Sequence, residues 1–187
     1  MKSEPSSKAT HLVAFRAAAV AMWGNAGWEA VVDRLPKDAR DALVQGGLVV
    51  AAGWVPERHM VKLAEAVFEG PVRGKPDLYR DFVHEVIALG FGRVRRVLVQ
   101  FAHPHTVLRR APELWRHDHT HGELTVQMDE KSALAIVTHD VLTSTQLSRA
   151  TAAEMFRAVL TLTRAREVKQ EHGLDADGRL RVLLKWS

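Results

Sequence analysis

The sequence predicts an α+β fold, a helical block packed on a small antiparallel sheet made of two hairpins. Three observations carry that reading. Apolar residues recur at helical spacing from Trp28 to Phe101, the period shortens to two from Gly122, and a polar turn at Asp175 to Gly178 joins two alternating segments. Helices run together and strands run together, without the strict alternation that builds a parallel sheet.

The elements follow in order. Residues 1–10 are polar at their start, with Pro5 and two serines, and read as a disordered tail ahead of a single domain over 11–187. Leu12 to Met22 opens the fold as a strand or an early helix. Asn25 can cap a helix bearing Trp28, Val31, Val32 and Leu35. Pro36 suits the first turn of the next helix, which ends near Gly46-Gly47. Leu48 to Trp54 is a short apolar run, a strand or a buried linker.

Pro56 to Glu69 is a helix with Met60, Leu63, Ala64, Val67 and Phe68 on one stripe, stopped by Gly70-Pro71. Lys75-Pro76 opens another, with Tyr79, Phe82, Val83, Val86 and Ile87 inward, up to Gly90-Phe91-Gly92. Arg93 to Phe101 continues as a helix with Val94, Val97, Leu98 and Phe101 inward. Pro104 and Pro112 then cut the chain into short turns.

From Gly122, Leu124, Val126 and Met128 alternate with polar residues, and a turn near Asp129 to Lys131 leads into Ala133 to Thr138, a hairpin. Thr151 with Glu154 forms a capping box for the next helix. In the last hairpin Glu167, Lys169 and Glu171 share one face, and Arg179, Arg181 and Lys185 share a face of the partner strand. Val182, Leu184 and Trp186 face the core.

At 187 residues with 47% hydrophobic content, the chain can build a core without metal or disulfide help. It has no cysteine, which removes disulfide frameworks, thiolate metal sites and thiol nucleophiles together. Net charge is +4, too mild for a dedicated nucleic-acid binder. No apolar run reaches a membrane-spanning length. Leu12 to Met22 is interrupted by Arg16, unlike the apolar stretch of a signal peptide, so a cytoplasmic location is expected.

Two groups of residues invite a chemical reading. Arg93, Arg96, Arg109 and Arg110 fall in a stretch with no acidic residue between Glu85 and Glu113, and suit a phosphate, a carboxylate or an acidic partner. A solvated face pairing with acids elsewhere is the plainer alternative, and nucleic acid is disfavoured because no aromatics interleave with the arginines. The second group is His103, His105, His117, His119 and His121. In an extended strand His117, His119 and His121 would project to one side, an arrangement suited to zinc, nickel or copper. A histidine-rich solvated loop is the alternative. Trp54 and Trp115, each near a proline, are candidates for lining a pocket or a dimer contact. No catalytic motif surrounds any serine, histidine or aspartate, and Gly90-Phe91-Gly92 lacks the phosphate-loop pattern.

Leu35-Pro36, Arg40 and Leu43, then Gly53-Trp54-Val55-Pro56, then Leu108 to Trp115 with Gly122-Glu123-Leu124-Thr125-Val126, and a last strand ending in Trp186, resemble a bacterial family of unknown function expanded in myxobacteria. That family in turn resembles, distantly, the haem-NO-binding, four-vinyl-reductase and Bet3-type transport-complex domains. The resemblance implies helices on an antiparallel sheet, used for ligand sensing or dimerisation. In the haem branch, His103 or His105 falls roughly where those domains place an iron-binding histidine. Their Tyr-x-Ser-x-Arg motif for the haem propionates has no counterpart, since Tyr79, far upstream, is the single tyrosine.

The expectation is therefore a non-enzymatic regulatory or signalling module, a homodimer without a cofactor, binding a protein partner or a small hydrophobic or anionic ligand. The alternative is a haem- or metal-dependent sensor built on the cluster from His103 to His121.

Overall fold

A computed structural model describes residues 4–45, 53–139 and 141–187, and their side chains except those of 44, 45 and 93–96. The chain is α+β, as expected. It consists of two compact units, Met1–Gly90 and Phe91–Ser187.

In the first unit the supposed tail is partly structured. β1 (Ser6–Lys8) pairs antiparallel with β2 (Trp54–Pro56), Ser7 opposite Val55. The backbone groups of this short polar segment find partners in β2, so its composition does not leave it free. α1 (Ala9–Asp33) is helical from the first apolar residues onward, with a break at Gly24, whose φ of 71° is open to glycine at little cost. The new helix expected at Asn25 is thus the second arm of a kinked one. Pro36 sits at the N-cap of α2 (Lys37–Arg40), which passes into a π-helical turn, Asp41–Gln45. The predicted helix end at Gly46-Gly47 and most of the run Leu48 to Trp54 lie outside the described residues.

α3 (Glu57–Glu69) and α4 (Pro76–Gly90) agree with the sequence reading. Their stripes meet α1 in an aromatic-rich core. Phe82 packs edge-on to Phe15 at 5.3 Å and stacks with Trp23 at 5.2 Å, and Tyr79 meets Phe68 edge-on at 5.4 Å. Leu63, Val67, Val83 and Val31 fill the space around them, fully buried. His59 on α3 is buried as well, and burial lowers its pKa from 6.5, with Arg58 acting the same way and Asp38 opposing.

The second unit begins with α5 (Gly92–Gln100) and α6 (Pro104–Asp118). Two expectations fail here. Val97, Leu98 and Phe101 of the first helix are exposed, not inward. The short turns expected between the prolines are one helix of fifteen residues, with Pro104 at its first position and Pro112 inside it. Pro112 removes one helical hydrogen bond. Leu108, Ala111 and Trp115, packed into the core on either side of it, hold the helix together.

The hairpins are as predicted. β3 (Glu123–Asp129) pairs with β4 (Ser132–Thr138), and β5 (Lys169–Leu174) pairs with β6 (Leu180–Lys185). They join through β4 and β6 into one antiparallel sheet, order β3-β4-β6-β5. Its inner face carries Leu124, Ala133, Ala135, Val137, Leu180, Val182 and Leu184, covered by Leu108 and by Ala153 and Leu160 of α7 (Gln146–Thr161). Trp186 joins this core.

Two details differ. The capping box lies at Thr145 and Ser148, each side chain meeting the other's backbone N–H, so Thr151 and Glu154 sit inside the helix. Thr151 donates to the Leu147 carbonyl, and Glu154 holds the Arg157 guanidinium at 2.8 and 3.0 Å. The charge match of the last hairpin is partial as well. Glu167 precedes β5 with a positive φ, and Lys169 stands opposite Lys185, which reaches Glu171 at 3.7 Å.

Candidate functional site

The histidines that the sequence singled out lie at or just beyond the two ends of α6. At its start, His103 occupies the N-cap position and its Nδ1 accepts the His105 N–H at 3.4 Å, a long bond. The ring is exposed, and its Nε2 has no hydrogen-bond partner among the described residues. His105 is committed differently. Its Nε2 lies 2.8 Å from the Asp129 carbonyl oxygen, and its ring packs edge-on against Trp186 at 5.6 Å. A carbonyl only accepts, so this nitrogen carries the proton and is closed to a metal. Of the two histidines the sequence offered for iron, His103 is the one whose Nε2 is unengaged.

At the far end, the expected row of three imidazoles does not form. α6 extends to Asp118, so His117 lies on the helix and His119 caps it, where an extended strand was expected. His117 pairs with Asp118 at 2.7 Å, and His121 meets the Thr120 hydroxyl at 2.9 Å. His119, one helical turn beyond Trp115, stacks on its ring at 4.1 Å.

A residue the sequence reading missed completes this group. His139, buried at the end of β4, stands edge-on to Trp115 at 6.1 Å and to His119 at 6.3 Å. His119 and His139 each offer a nitrogen, within 4.8 Å of one another. The Nδ1 of His139 accepts the N–H groups of Val141 and Leu142, both at 3.2 Å, which fixes the ring and leaves the proton of the neutral form on Nε2. Gly122 makes room for it. A Cβ there would stand 2.5 Å from the His139 ring, and its φ of 76° is itself costly for other residues. The period of two that gave β4 its inward residues Ala133, Ala135 and Val137 points to 139 as the next inward position, and that was the available signal.

The remaining candidates are dispersed. Trp115 joins the histidines, and its Nε1 is buried with no partner among the described residues. Trp54 lies in the other unit, half exposed on β2 beneath the Lys8 ammonium at 4.2 Å. Arg109 and Arg110 are exposed on α6 without an ion pair among the described residues. The side chains of Arg93 and Arg96 lie outside the described set.

No family model and no curated protein matches the chain. Solved structures do. An H-NOX protein from K. algicida, Fe(II) and unliganded, aligns with a TM-score of 0.66 and 10% identity over 96% of each chain. An oxygen-binding H-NOX domain related to soluble guanylate cyclases, in its oxygen complex, gives 0.65 and 13% over 96% of this chain and 95% of its own. A mutant of the T. tengcongensis H-NOX gives 0.63 and 13%, over 96% and 97%.

The chain shares the fold of the haem-NO-binding domains. The distant resemblance read from the sequence holds at that level, and the expectation of a cofactor-free module does not. Neighbours of this fold include one whose haem redox potential is modulated through protein-induced porphyrin distortion. The residues present fit a haem at the iron, where His103 Nε2 is unengaged, and depart from it at the propionates. The single tyrosine, Tyr79, is buried on the helix α4 and belongs to no strand.

Proposed function

We propose that the chain is a non-enzymatic sensor module that takes a haem iron on His103. The observation that supports this is an exposed imidazole with an unengaged Nε2 at the start of α6, in a chain that shares its fold with H-NOX domains along 96% of its length. A bound haem would supply an iron at which a small gas can be held. The chain's own part is to present His103. Ligation at Nε2 moves the ring proton to Nδ1 and gives up the 3.4 Å bond to the His105 backbone, a small loss at that length. Without a Tyr-x-Ser-x-Arg clamp, retention rests on the iron–imidazole bond.

Haem titration into the purified, untagged chain tests this. A Soret band that shifts on binding, is lost in His103→Ala and survives in His105→Gln is the expected result. A chain that leaves the haem spectrum unchanged, or a His103→Ala variant with the wild-type spectrum, overturns it.

A second reading has its own observation. His119 and His139, with nitrogens within 4.8 Å, can share a zinc, nickel or copper ion, which narrows the proposed metal set of His117, His119 and His121 to one member plus His139. Ligation at Nε2 of His139 moves the ring proton to Nδ1 and gives up the bonds from Val141 and Leu142, and because protons compete with the metal for imidazole nitrogen, affinity rises with pH. Zinc titration by calorimetry at two pH values checks it, and an unchanged isotherm in His139→Ala removes it. Homodimerisation is a separate part of the proposal, read by light scattering of the loaded and unloaded chain, and an anionic ligand at the arginines Arg93, Arg96, Arg109 and Arg110 is another, read by titration with inorganic phosphate.

A further inference from the structure

α5 and the residue after it carry apolar side chains that neither the haem nor the metal reading uses. Val97, Leu98 and Phe101 are 53%, 66% and 66% exposed. At about 100° per residue the three positions fall within one quadrant-sized arc of the helix. Single exposed apolar residues are ordinary, whereas three adjoining ones on so short a helix mark a contact surface. The same helix holds Arg93, Arg95 and Arg96 in its sequence, and no acidic residue occurs between Glu85 and Glu113. Arg109 and Arg110, exposed on α6, extend the cationic run.

This combination selects among occupants. A second copy of the chain would bring together two α5 segments that are both arginine-rich in sequence, a pairing that like charge disfavours. An acidic protein would answer the charge but needs its own pocket for Leu98 and Phe101. A bilayer surface with anionic headgroups answers both at once, since its acyl boundary accepts apolar side chains of any shape and its phosphates attract guanidinium groups. No described helix is long and apolar enough to cross a membrane, so the contact is peripheral.

We propose that α5 docks in the plane of an anionic lipid surface, with Leu98 and Phe101 entering the headgroup boundary. Co-sedimentation of the full chain with vesicles of equimolar phosphatidylglycerol and phosphatidylcholine tests this against vesicles of phosphatidylcholine alone. The anionic vesicles are expected to bind at least about tenfold more protein, with the difference shrinking as salt is added. The double variant Leu98→Asp, Phe101→Asp is expected to lose that binding while keeping its thermal midpoint, because both side chains are already in water. Equal binding to neutral vesicles overturns the proposal, as does a double variant that binds like wild type. A wild-type chain that ignores both vesicles but binds a polyglutamate chain reassigns the surface to an acidic protein. Light scattering that shows a dimer dispersed by the double variant reassigns it to a second copy.

Discussion

α3 and α5 are built on the same plan, an apolar stripe beside charged positions, and the molecule treats them in opposite ways. Leu63, Ala64 and Val67 of α3 are buried against neighbouring helices, while Val97 and Leu98 of α5 stand in solvent. Periodicity states that a helix has an apolar side and does not state what covers it. α3 packs against α1, α2 and β2, so its stripe is covered by elements that precede it in sequence. α5 is nine residues between Gly92 and Pro104, too short to bring its own cover.

The largest expected effect that separates them is on stability. Leu63→Ala should cost about 3 kcal/mol, the range for a fully buried leucine, seen as a lower urea midpoint with an unchanged slope. A loss under about 1 kcal/mol would show that α3 is less enclosed than its burial indicates. Acid comes next. His59 on α3 has its pKa lowered by burial, so the unfolded chain takes up this proton first. Stability is then intact above the unfolded value near 6.5 and falls as pH drops below it, by at most about 1.4 kcal/mol per pH unit. His59→Gln should flatten that slope in urea melts between pH 7 and 5, and an unchanged slope would assign it to other groups. The smallest effect belongs to α5, where Leu98→Ala should shift stability by no more than about 0.5 kcal/mol. A larger loss would mean that the stripe of α5 is covered in solution.

The hairpins were legible because a period of two arises where a strand buries one face and wets the other, and Asp175 to Gly178 marks its turn without ambiguity. α6 was not, since Pro112 is a local signal for a break and the packing of Leu108 and Trp115 that overrides it is a tertiary fact. The cap of α7 was misplaced because Thr151 and Glu154 have the right spacing, and only backbone geometry shows that Thr145 and Ser148 hold the end. The candidate site was half legible. Its histidines were visible as residue types, but the pairing of His119 with His139 depends on strand register and on the empty space at Gly122.

The hydrogen bond from His105 to the Asp129 carbonyl makes that imidazole a built-in reporter. The bond fixes which ring nitrogen carries the proton, and the neighbouring Trp186 ring shifts the carbon-bound ring protons. The Hε1 proton of His105 should therefore give a line of its own in a proton NMR spectrum, apart from those of the other histidines. Whether the start of α6 stays seated on the β3–β4 turn when a ligand arrives at His103, two residues away, can be followed from that one line.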